Sequence, residues 1–166
     1  MMKYLLDANV LIDANRDYYP INRVPEFWEW LVDLGGKGVV KIPIEVYEEI
    51  KEGNDELAKW AKRESVREAL LFDGEVNTVL VRHAIETGYG NDLTDADIEK
   101  LGRDPFIIAY ALAAPSEWII VTTEASRPSA IGANRHLPDV CDYLGLLHKN
   151  TFEFVRELDF RTNWHS

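Results

Sequence analysis

The sequence predicts an α/β fold in which a parallel sheet is covered on both faces. Three short apolar runs, each the length of a buried strand, alternate with segments of helical periodicity. The runs are apolar throughout, which is typical of parallel strands that are buried on both faces. The 166 residues suit one domain, spanning 1–166, with a core of its own.

The first part of the chain is predicted to hold two strands and four helical segments. Pro25 opens a helix that stops at Gly35-Gly36, and Pro43 precedes a helix that Gly53 closes. The predicted elements are, in order, strand 3–6, a helical turn or two over 8–15, helix 25–34, strand 38–42, helix 44–52 and helix 55–67.

The second part is predicted to contain one more strand between helices. Thr94 starts a short helix with a capping box, and Asp104-Pro105 is the arrangement of an N-cap followed by proline at the first helical position. The predicted elements are helix 75–87, the short helix from Thr94, the apolar helix from Asp104 to Ala114, strand 118–122, helix 137–143 and helix 151–158.

Composition limits the class of protein. The single cysteine, Cys141, excludes an internal disulfide and a cysteine-rich zinc module, and fits a reducing compartment. The longest apolar stretch, 106–114, is too short to span a bilayer, and Asp7 interrupts the N-terminus too early for a signal peptide. We therefore expect a cytoplasmic protein without a membrane partner.

The net charge of −11 is unevenly distributed. Residues 43–104 hold 16 acidic residues against 8 Lys and Arg, whereas residues 105–166 hold 7 against 5. Nucleic-acid binding by such a chain has to be local, through a few cations and a bound metal ion. A basic partner protein would be strongly attracted.

Four positions supply candidate site acids. Asp7 and Glu124 each follow a predicted strand, where ligands bind in parallel sheets, and Asp104 starts a buried helix. Asp7 and Asp104 are equally readable as helix N-caps, and Glu124 as a loop acid. Among three glutamates on one helix, Glu49 is the best placed to point inward because it lies next to the buried side.

A cluster of these acids requires a cation. Two carboxylates about 4 Å apart repel each other by roughly 4 kcal/mol at an effective dielectric of 20. Oxygen ligands select a hard ion, Mg²⁺ or Mn²⁺, and such an ion suits phosphodiester cleavage. The four histidines show no metal-ligand spacing.

Four segments in this order resemble the motifs of the PIN-domain ribonucleases, the family of the VapC toxins, and most resemble a little-characterised PIN subgroup. The first and third are the most specific. The segments are Leu6-Asp7-Ala8-Asn9-Val10-Leu11-Ile12-Asp13, Ile42-Pro43-Ile44-Glu45-Val46-Tyr47-Glu48-Glu49-Ile50, Asp104-Pro105-Phe106-Ile107-Ile108-Ala109-Tyr110-Ala111-Leu112 and Val121-Thr122-Thr123-Glu124.

The resemblance implies a three-layer α/β/α sandwich and an endoribonuclease that depends on Mg²⁺ or Mn²⁺. Its substrate would be single-stranded RNA, cleaved to leave a 5′-phosphate. It further implies a homodimer and, for a toxin, an antitoxin that occludes the site. By position, the metal ligands would be Asp7, Glu49, Asp104 and Glu124, and the residues that orient the site would be Asn9 and Thr122.

The chain departs from the family pattern in several places. Ala8 replaces a common small hydroxyl residue, and Glu124 replaces the usual aspartate, for which Asp139 or Asp142 would be substitutes. Glu48 remains an alternative to Glu49. Residues 53–102 form a helical, acidic insertion relative to a minimal PIN domain.

Three other functions stay open. A phosphatase of the haloacid dehalogenase type also begins with an aspartate after a strand, but it normally has a second aspartate two residues later, where this chain has Asn9. The others are an RNA-processing nuclease without an antitoxin and a catalytically silent interaction module.

Overall fold

A five-stranded parallel sheet forms the centre of the structure, a computed structural model that describes residues 2–165. The strand order is β3-β2-β1-β4-β5, and each neighbouring pair is parallel. The strands are β1 (Lys3–Leu6), β2 (Val40–Pro43), β3 (Leu71–Phe72), β4 (Trp118–Val121) and β5 (Leu147–Lys149). The described residues also form ten α-helices: α1 (Ala8–Asp13), α2 (Pro25–Gly36), α3 (Ile44–Lys51), α4 (Glu56–Ala61), α5 (Glu64–Leu70), α6 (Thr78–His83), α7 (Asp95–Leu101), α8 (Asp104–Ala113), α9 (Leu137–Leu144) and α10 (Thr151–Glu157).

Alternate residues of the central strands enter two separate hydrophobic cores. In β1, Tyr4 and Leu6 face the core formed with α1 to α5 and α10, whereas Leu5 faces the core formed with α7, α8 and α9. In the same way, β4 contributes Val121 to the first core and Ile120 to the second. Helices on both faces of the sheet make a three-layer α/β/α sandwich, which confirms the predicted fold class.

The two strands that the sequence did not predict lie at the edges of the sheet. β3 is only two residues long and half-buried, and β5 begins with the exposed Leu147 and continues with His148 and Lys149. β3 is too short to give a strand pattern of its own, and two of the three residues of β5, His148 and Lys149, are not apolar. Their positions depend on pairing with β2 and β4.

Several helix predictions were wrong at the boundaries. The expected helix 55–67 is two helices, α4 and α5, separated at Lys62 and Arg63. The expected helix 75–87 begins only at Thr78, where the Asn77 side chain caps it, and continues as a π-helix over Ala84–Tyr89. α1 is likewise extended by a π-helix, Ala14–Tyr18.

The acidic segment 53–102 is packed into both helical layers. Its helix α5 packs against α2, its strand β3 pairs with β2, and its helix α6 packs against α8. The segment therefore supplies the edge strand β3 and connects the helices on one face of the sheet with those on the other face.

The predicted buried helix, α8, is the most apolar part of the second layer. Ile107, Ile108 and Ala111 are almost completely inaccessible to solvent. Across residues 2–165, no helix combines the length and the apolar character needed to cross a membrane.

α2 ends at the glycine pair, as predicted, and the two glycines have different surroundings. A Cβ atom on Gly35 would lie 2.7 Å from the carbonyl oxygen of Ala69, whereas one on Gly36 would meet nothing within 4 Å. Gly35 thus permits the close approach of α2 and α5.

We expect Gly35→Ala to lower the free energy of unfolding by about 1–3 kcal/mol, because the added methyl group forces the two helices apart. The matched variant Gly36→Ala should raise it by about 0.5–1 kcal/mol, since alanine loses less backbone entropy on folding. Equilibrium urea unfolding measures both values. A Gly35→Ala protein as stable as wild type would contradict the packing described for Gly35.

The strand order changes direction between β1 and β4. The chain proceeds from β1 to β2 and β3 on one side of the sheet, and β4 and β5 lie on the other side. Ligands of parallel sheets bind at such a switch point, beyond the carboxyl ends of the strands. Because Leu6 pairs with Val121 across these two strands, the next residues, Asp7 and Thr122, lie side by side at this edge.

Candidate active site

Asp7 lies at the carboxyl end of β1 and is 7% exposed. It is the N-cap of α1, as its position predicted: Oδ1 accepts a hydrogen bond from the Ala8 amide at 2.9 Å. Burial raises the pKa of Asp7 to about 6, and the charges of Glu124 and Glu49 act in the same direction. The hydrogen bonds from Ala8 and Thr122 oppose that shift only in part.

Thr122 connects the first strand with the loop after β4. Its buried hydroxyl donates to Asp7 Oδ2 at 3.1 Å and accepts from the Glu124 amide at 3.2 Å. Its own amide donates to the Lys149 carbonyl at 3.1 Å, which ties the residue to the end of β5. The hydroxyl therefore sets the orientation of one acid and the backbone position of another.

Asp104 was expected to be a helix N-cap, and that interpretation was wrong. α8 begins at Asp104 itself, Arg103 occupies the cap position, and no side chain caps the helix. The Asp104 carboxylate accepts no hydrogen bond from the part of the chain that the structure describes. Burial raises its pKa to about 8, with further contributions from Asp7, Glu124 and Glu49.

Glu124 approaches the other acids from the loop after β4. Its Oε2 accepts a hydrogen bond from the Leu137 amide, at the N-terminus of α9, at 3.0 Å. Its charge raises the pKa of both Asp7 and Asp104. One glutamate oxygen is thus held by a helix terminus while the carboxylate stays close to the two aspartates.

The three glutamates of α3 have different surroundings. Glu45 accepts hydrogen bonds from the Tyr110 hydroxyl at 2.9 Å, and Glu48 pairs with Lys51 at 3.1 Å. Glu49 was expected to point inward, and that prediction was wrong, because it is the most exposed of the three; its charge nevertheless acts on both Asp7 and Asp104. Glu49 is therefore the glutamate of α3 that belongs with the candidate site.

The other candidates from the sequence have partners elsewhere or none. Asp139 accepts hydrogen bonds from the Ser126 hydroxyl and from the Arg127 amide, which is 2.6 Å away. Asp142 pairs with His148 at 2.8 Å. Asn9 is exposed, and within residues 2–165 its side chain makes no hydrogen bond, so its orienting role stays a prediction.

The structure brings Asp7, Glu49, Asp104 and Glu124 into one electrostatic cluster that suits a hard cation. Within residues 2–165, no group of three or more His, Cys, Asp or Glu side chains is arranged to hold a metal ion. Mg²⁺, however, retains several waters and needs only one or two protein carboxylates. Three features fit such an ion. All the donors are oxygens, the repulsion among the acids raises the pKa values of Asp7 and Asp104, and the Asp104 carboxylate accepts no hydrogen bond from the described residues.

A cleft of about 530 Å³ opens beside Asp104 and Glu124. Its lining includes the imidazole of His136 and three cationic side chains that the sequence analysis did not single out: Lys100, Arg127 and Arg135. They come from α7 and from the loop between β4 and α9, so no local spacing connects them. A local basic surface therefore lies next to Asp104 and Glu124. A nucleic-acid binder with a negative net charge was expected to need such a surface.

A second cleft, of about 370 Å³, is also lined by Glu124. The rings of Tyr18 and Phe152 lie in this cleft with their centroids 5.3 Å apart, and Phe152 is 53% exposed. Glu124 thus lines both the basic cleft and a second cleft that contains two aromatic rings and the carboxylates of Asp13 and Asp17.

Comparison with protein-family models matches residues 4–162 to the family described as Domain of unknown function (DUF4411). The chain belongs to the DUF4411 family. The matched region of this DUF4411 protein contains all four acids, both clefts and the entire sheet except for Lys3. Neither a curated protein nor a solved structure matches the chain.

Proposed function

We propose that this DUF4411 protein is a divalent-cation-dependent endoribonuclease that cleaves single-stranded RNA. The observation that carries the proposal is the position of the acids. Acids from four separate elements act electrostatically on Asp7 and Asp104 near the switch point of the sheet, and two of these acids, Asp104 and Glu124, line a cleft that also contains cationic residues. Cleavage of a phosphodiester needs both features, an acidic site for a metal ion and a basic surface for the phosphate backbone.

The four acids form two pairs with different tasks in this proposal. Asp104, which has no hydrogen-bond donor among the described residues, and Asp7, which Thr122 orients, would hold Mg²⁺ or Mn²⁺. Glu49 and Glu124 would complete the negative field around the ion. When bound, such an ion activates water and stabilises negative charge on the phosphate.

The cationic side chains would bind the phosphates on either side of the scissile bond. Arg127 is exposed at the rim of the basic cleft, and its side chain has no ion-pair partner among the described acids. Lys100 donates to the neutral Asn134 side chain and therefore keeps its charge uncompensated. Their attraction for RNA is local, in agreement with the negative net charge of the whole chain.

The aromatic rings of the second cleft suit the binding of single-stranded RNA better than that of duplex RNA. A base can stack on the exposed face of Phe152 only if it is unpaired and turned away from its neighbours. A strand that enters through the basic cleft, crosses the acids at Glu124 and leaves along Phe152 would place its phosphodiester backbone at the metal site.

A cleavage assay tests the proposed activity. The wild-type protein with Mn²⁺ or Mg²⁺ should cut a 5′-labelled single-stranded RNA into products that carry a 5′-phosphate, and excess EDTA should stop the reaction. The duplex form of the same sequence and the corresponding single-stranded DNA serve as controls. Equal cleavage in excess EDTA, or no cleavage with either metal ion, would disprove the proposal.

Within this activity we propose the role of a toxin in a toxin–antitoxin pair, active as a homodimer. The net charge of −11 suits a basic antitoxin that covers the acidic site. A short, basic, DNA-binding product of the adjacent reading frame would support this role. Its absence would favour an RNA-processing nuclease, for which the same residues would act on RNA without an antitoxin.

A further inference from the structure

Tyr89 has a buried hydroxyl without a hydrogen-bond partner. The residue is 5% exposed, and its Oη is one of two buried side-chain polar atoms in residues 2–165 that lack a partner. Burial of an unpaired hydroxyl is costly, and most buried polar atoms in folded proteins are paired. An unpaired buried hydroxyl of this kind calls for an explanation, and a partner supplied by a bound ligand is one.

The hydroxyl lies beside the acidic cluster. Tyr89 lines the basic cleft together with Asp104 and Glu124. Burial raises the pKa of Tyr89 far above its ordinary value, and the charges of Asp104 and Glu124 raise it further. A tyrosine phenol is neutral at physiological pH, so this one is a neutral O–H donor that is enclosed beside the cleft in the free protein.

The local fold holds Tyr89 in this position. It is the last residue of the π-helix Ala84–Tyr89, a type of helix that is frequent at functional sites. Arg135 donates a hydrogen bond to the carbonyl oxygen of Gly88. A Cβ atom on Gly88 would lie 2.8 Å from Val140 Cγ1, so the backbone packs against α9 as closely as glycine permits.

We propose that the Tyr89 hydroxyl donates a hydrogen bond to a non-bridging phosphate oxygen of the RNA strand bound over Asp104. This inference rests on the proposed nuclease function. A cationic side chain at this position would neutralise the acids and compete with the metal ion. A neutral hydroxyl can donate to the phosphate without neutralising the acids. The phosphate oxygen then becomes the hydrogen-bond partner that the Tyr89 hydroxyl lacks in the free protein.

The inference also assigns a role to the acidic segment 53–102. This segment carries both Tyr89 and Lys100 to the basic cleft, one as a neutral donor and the other as a cation. The segment therefore supplies substrate contacts to a site whose acids lie outside it.

The variant Tyr89→Phe removes only the hydroxyl. We expect KM for single-stranded RNA to rise, and kcat/KM to fall, by about 10- to 100-fold with kcat nearly unchanged, because the contact exists before and during the reaction. The Kd of a single-stranded RNA oligonucleotide, measured in EDTA so that no cleavage occurs, should weaken by a similar factor. The melting temperature of the free protein should rise, since an unpaired buried hydroxyl has been removed.

Tyr110→Phe is the matched control. Tyr110 is also 5% exposed, but its hydroxyl is satisfied by Glu45 and by the Gly74 carbonyl. This variant should melt at a lower temperature than wild type and keep its KM and its oligonucleotide Kd. The two variants therefore change the melting temperature in opposite directions, and only Tyr89→Phe changes KM and Kd.

Three outcomes would overturn the inference. The first is an unchanged KM and Kd for Tyr89→Phe, while the separate variant Asp104→Asn abolishes cleavage. This result would refute the role of Tyr89 and leave the proposed function intact. The second is a lower melting temperature with unchanged binding, which would make the hydroxyl structural. The third is a shifted pH profile of kcat/KM, which would show that Tyr89 donates to Asp104 instead of to the phosphate. A wild-type protein that neither cleaves nor binds RNA would overturn the proposed function as well.

Discussion

Asp104→Asn is expected to abolish cation-dependent RNA cleavage while raising the melting temperature of the metal-free protein. Asp104 is half-buried, the charges of Asp7, Glu49 and Glu124 act on its carboxylate, and nothing among the described residues donates a hydrogen bond to it. Loss of one ligand should remove several kcal/mol of charge stabilisation in the transition state, or about 1,000-fold in kcat/KM. Asparagine has nearly the same shape and no charge, so the repulsion within the free protein falls. Single-turnover cleavage and thermal melting in EDTA measure the two effects.

Asp142→Asn provides the matched control for this substitution. Asp142 is an exposed aspartate that pairs with His148, and it was an alternative to Glu124 as a site acid. Its replacement should leave kcat/KM within about twofold of wild type, because surface ion pairs contribute little. Undiminished cleavage by Asp104→Asn, or equal losses in the two variants, would contradict the assignment of Asp104.

The second large effect is a loss of stability with rising pH in the absence of divalent cations. The pKa values of Asp7 and Asp104 are raised in the folded protein, to about 6 and about 8, from an ordinary value of 3.8. A group with a raised folded-state pKa binds its proton more tightly when folded. Its full contribution to stability is therefore present below pH 4 and is lost as pH rises through 6 and then 8.

Thermal melting in EDTA across pH 5–8 checks this linkage. We expect the melting temperature to fall toward pH 8 by roughly 5 °C or more, which for a domain of this size corresponds to about 2 kcal/mol. Saturating Mg²⁺ or Mn²⁺ should restore stability at pH 8 and have little effect at pH 5, where protons neutralise the same carboxylates.

The variant Asp104→Asn separates this effect from other titrations. Its melting temperature in EDTA should vary less with pH between 6 and 8 than that of wild type, because the group with the higher pKa is absent. Parallel curves for the two proteins, or a wild-type melting temperature that rises over this range, would show that the cluster does not destabilise the free fold.

Much of the architecture was predictable because it depends on local patterns. The apolar runs before Asp7 and Thr122 identified β1 and β4, and the capping box at Thr94 located α7, which begins at Asp95. Edge strands were not predictable, since β3 and β5 contain too little buried apolar surface to produce a pattern. The π-helices also escaped prediction, because the sequence periodicity barely distinguishes them from α-helices.

The sequence identified each candidate acid, but it did not show which of these acids would act on one another. Spacing alone favoured Glu49 over Glu48, and the structure separates them by their partners, since Glu48 pairs with Lys51 while the charge of Glu49 acts on Asp7. Asp104 was read as a helix cap, yet it carries no capping hydrogen bond. A sequence shows where a carboxylate is available, but not which donors surround it.

By itself the sequence determined the α/β class, the burial of the central strands and the acids that follow them, because each depends on hydrophobic period and on neighbours along the chain. Tertiary structure alone decided that the strand order reverses between β1 and β4 and that the charges of Glu49 and Glu124 act on Asp7 and Asp104. It also decided that Tyr89 and Lys100 reach the same cleft as Arg127. These contacts join residues that are far apart in the chain, and they exist only when both faces of the sheet have been packed.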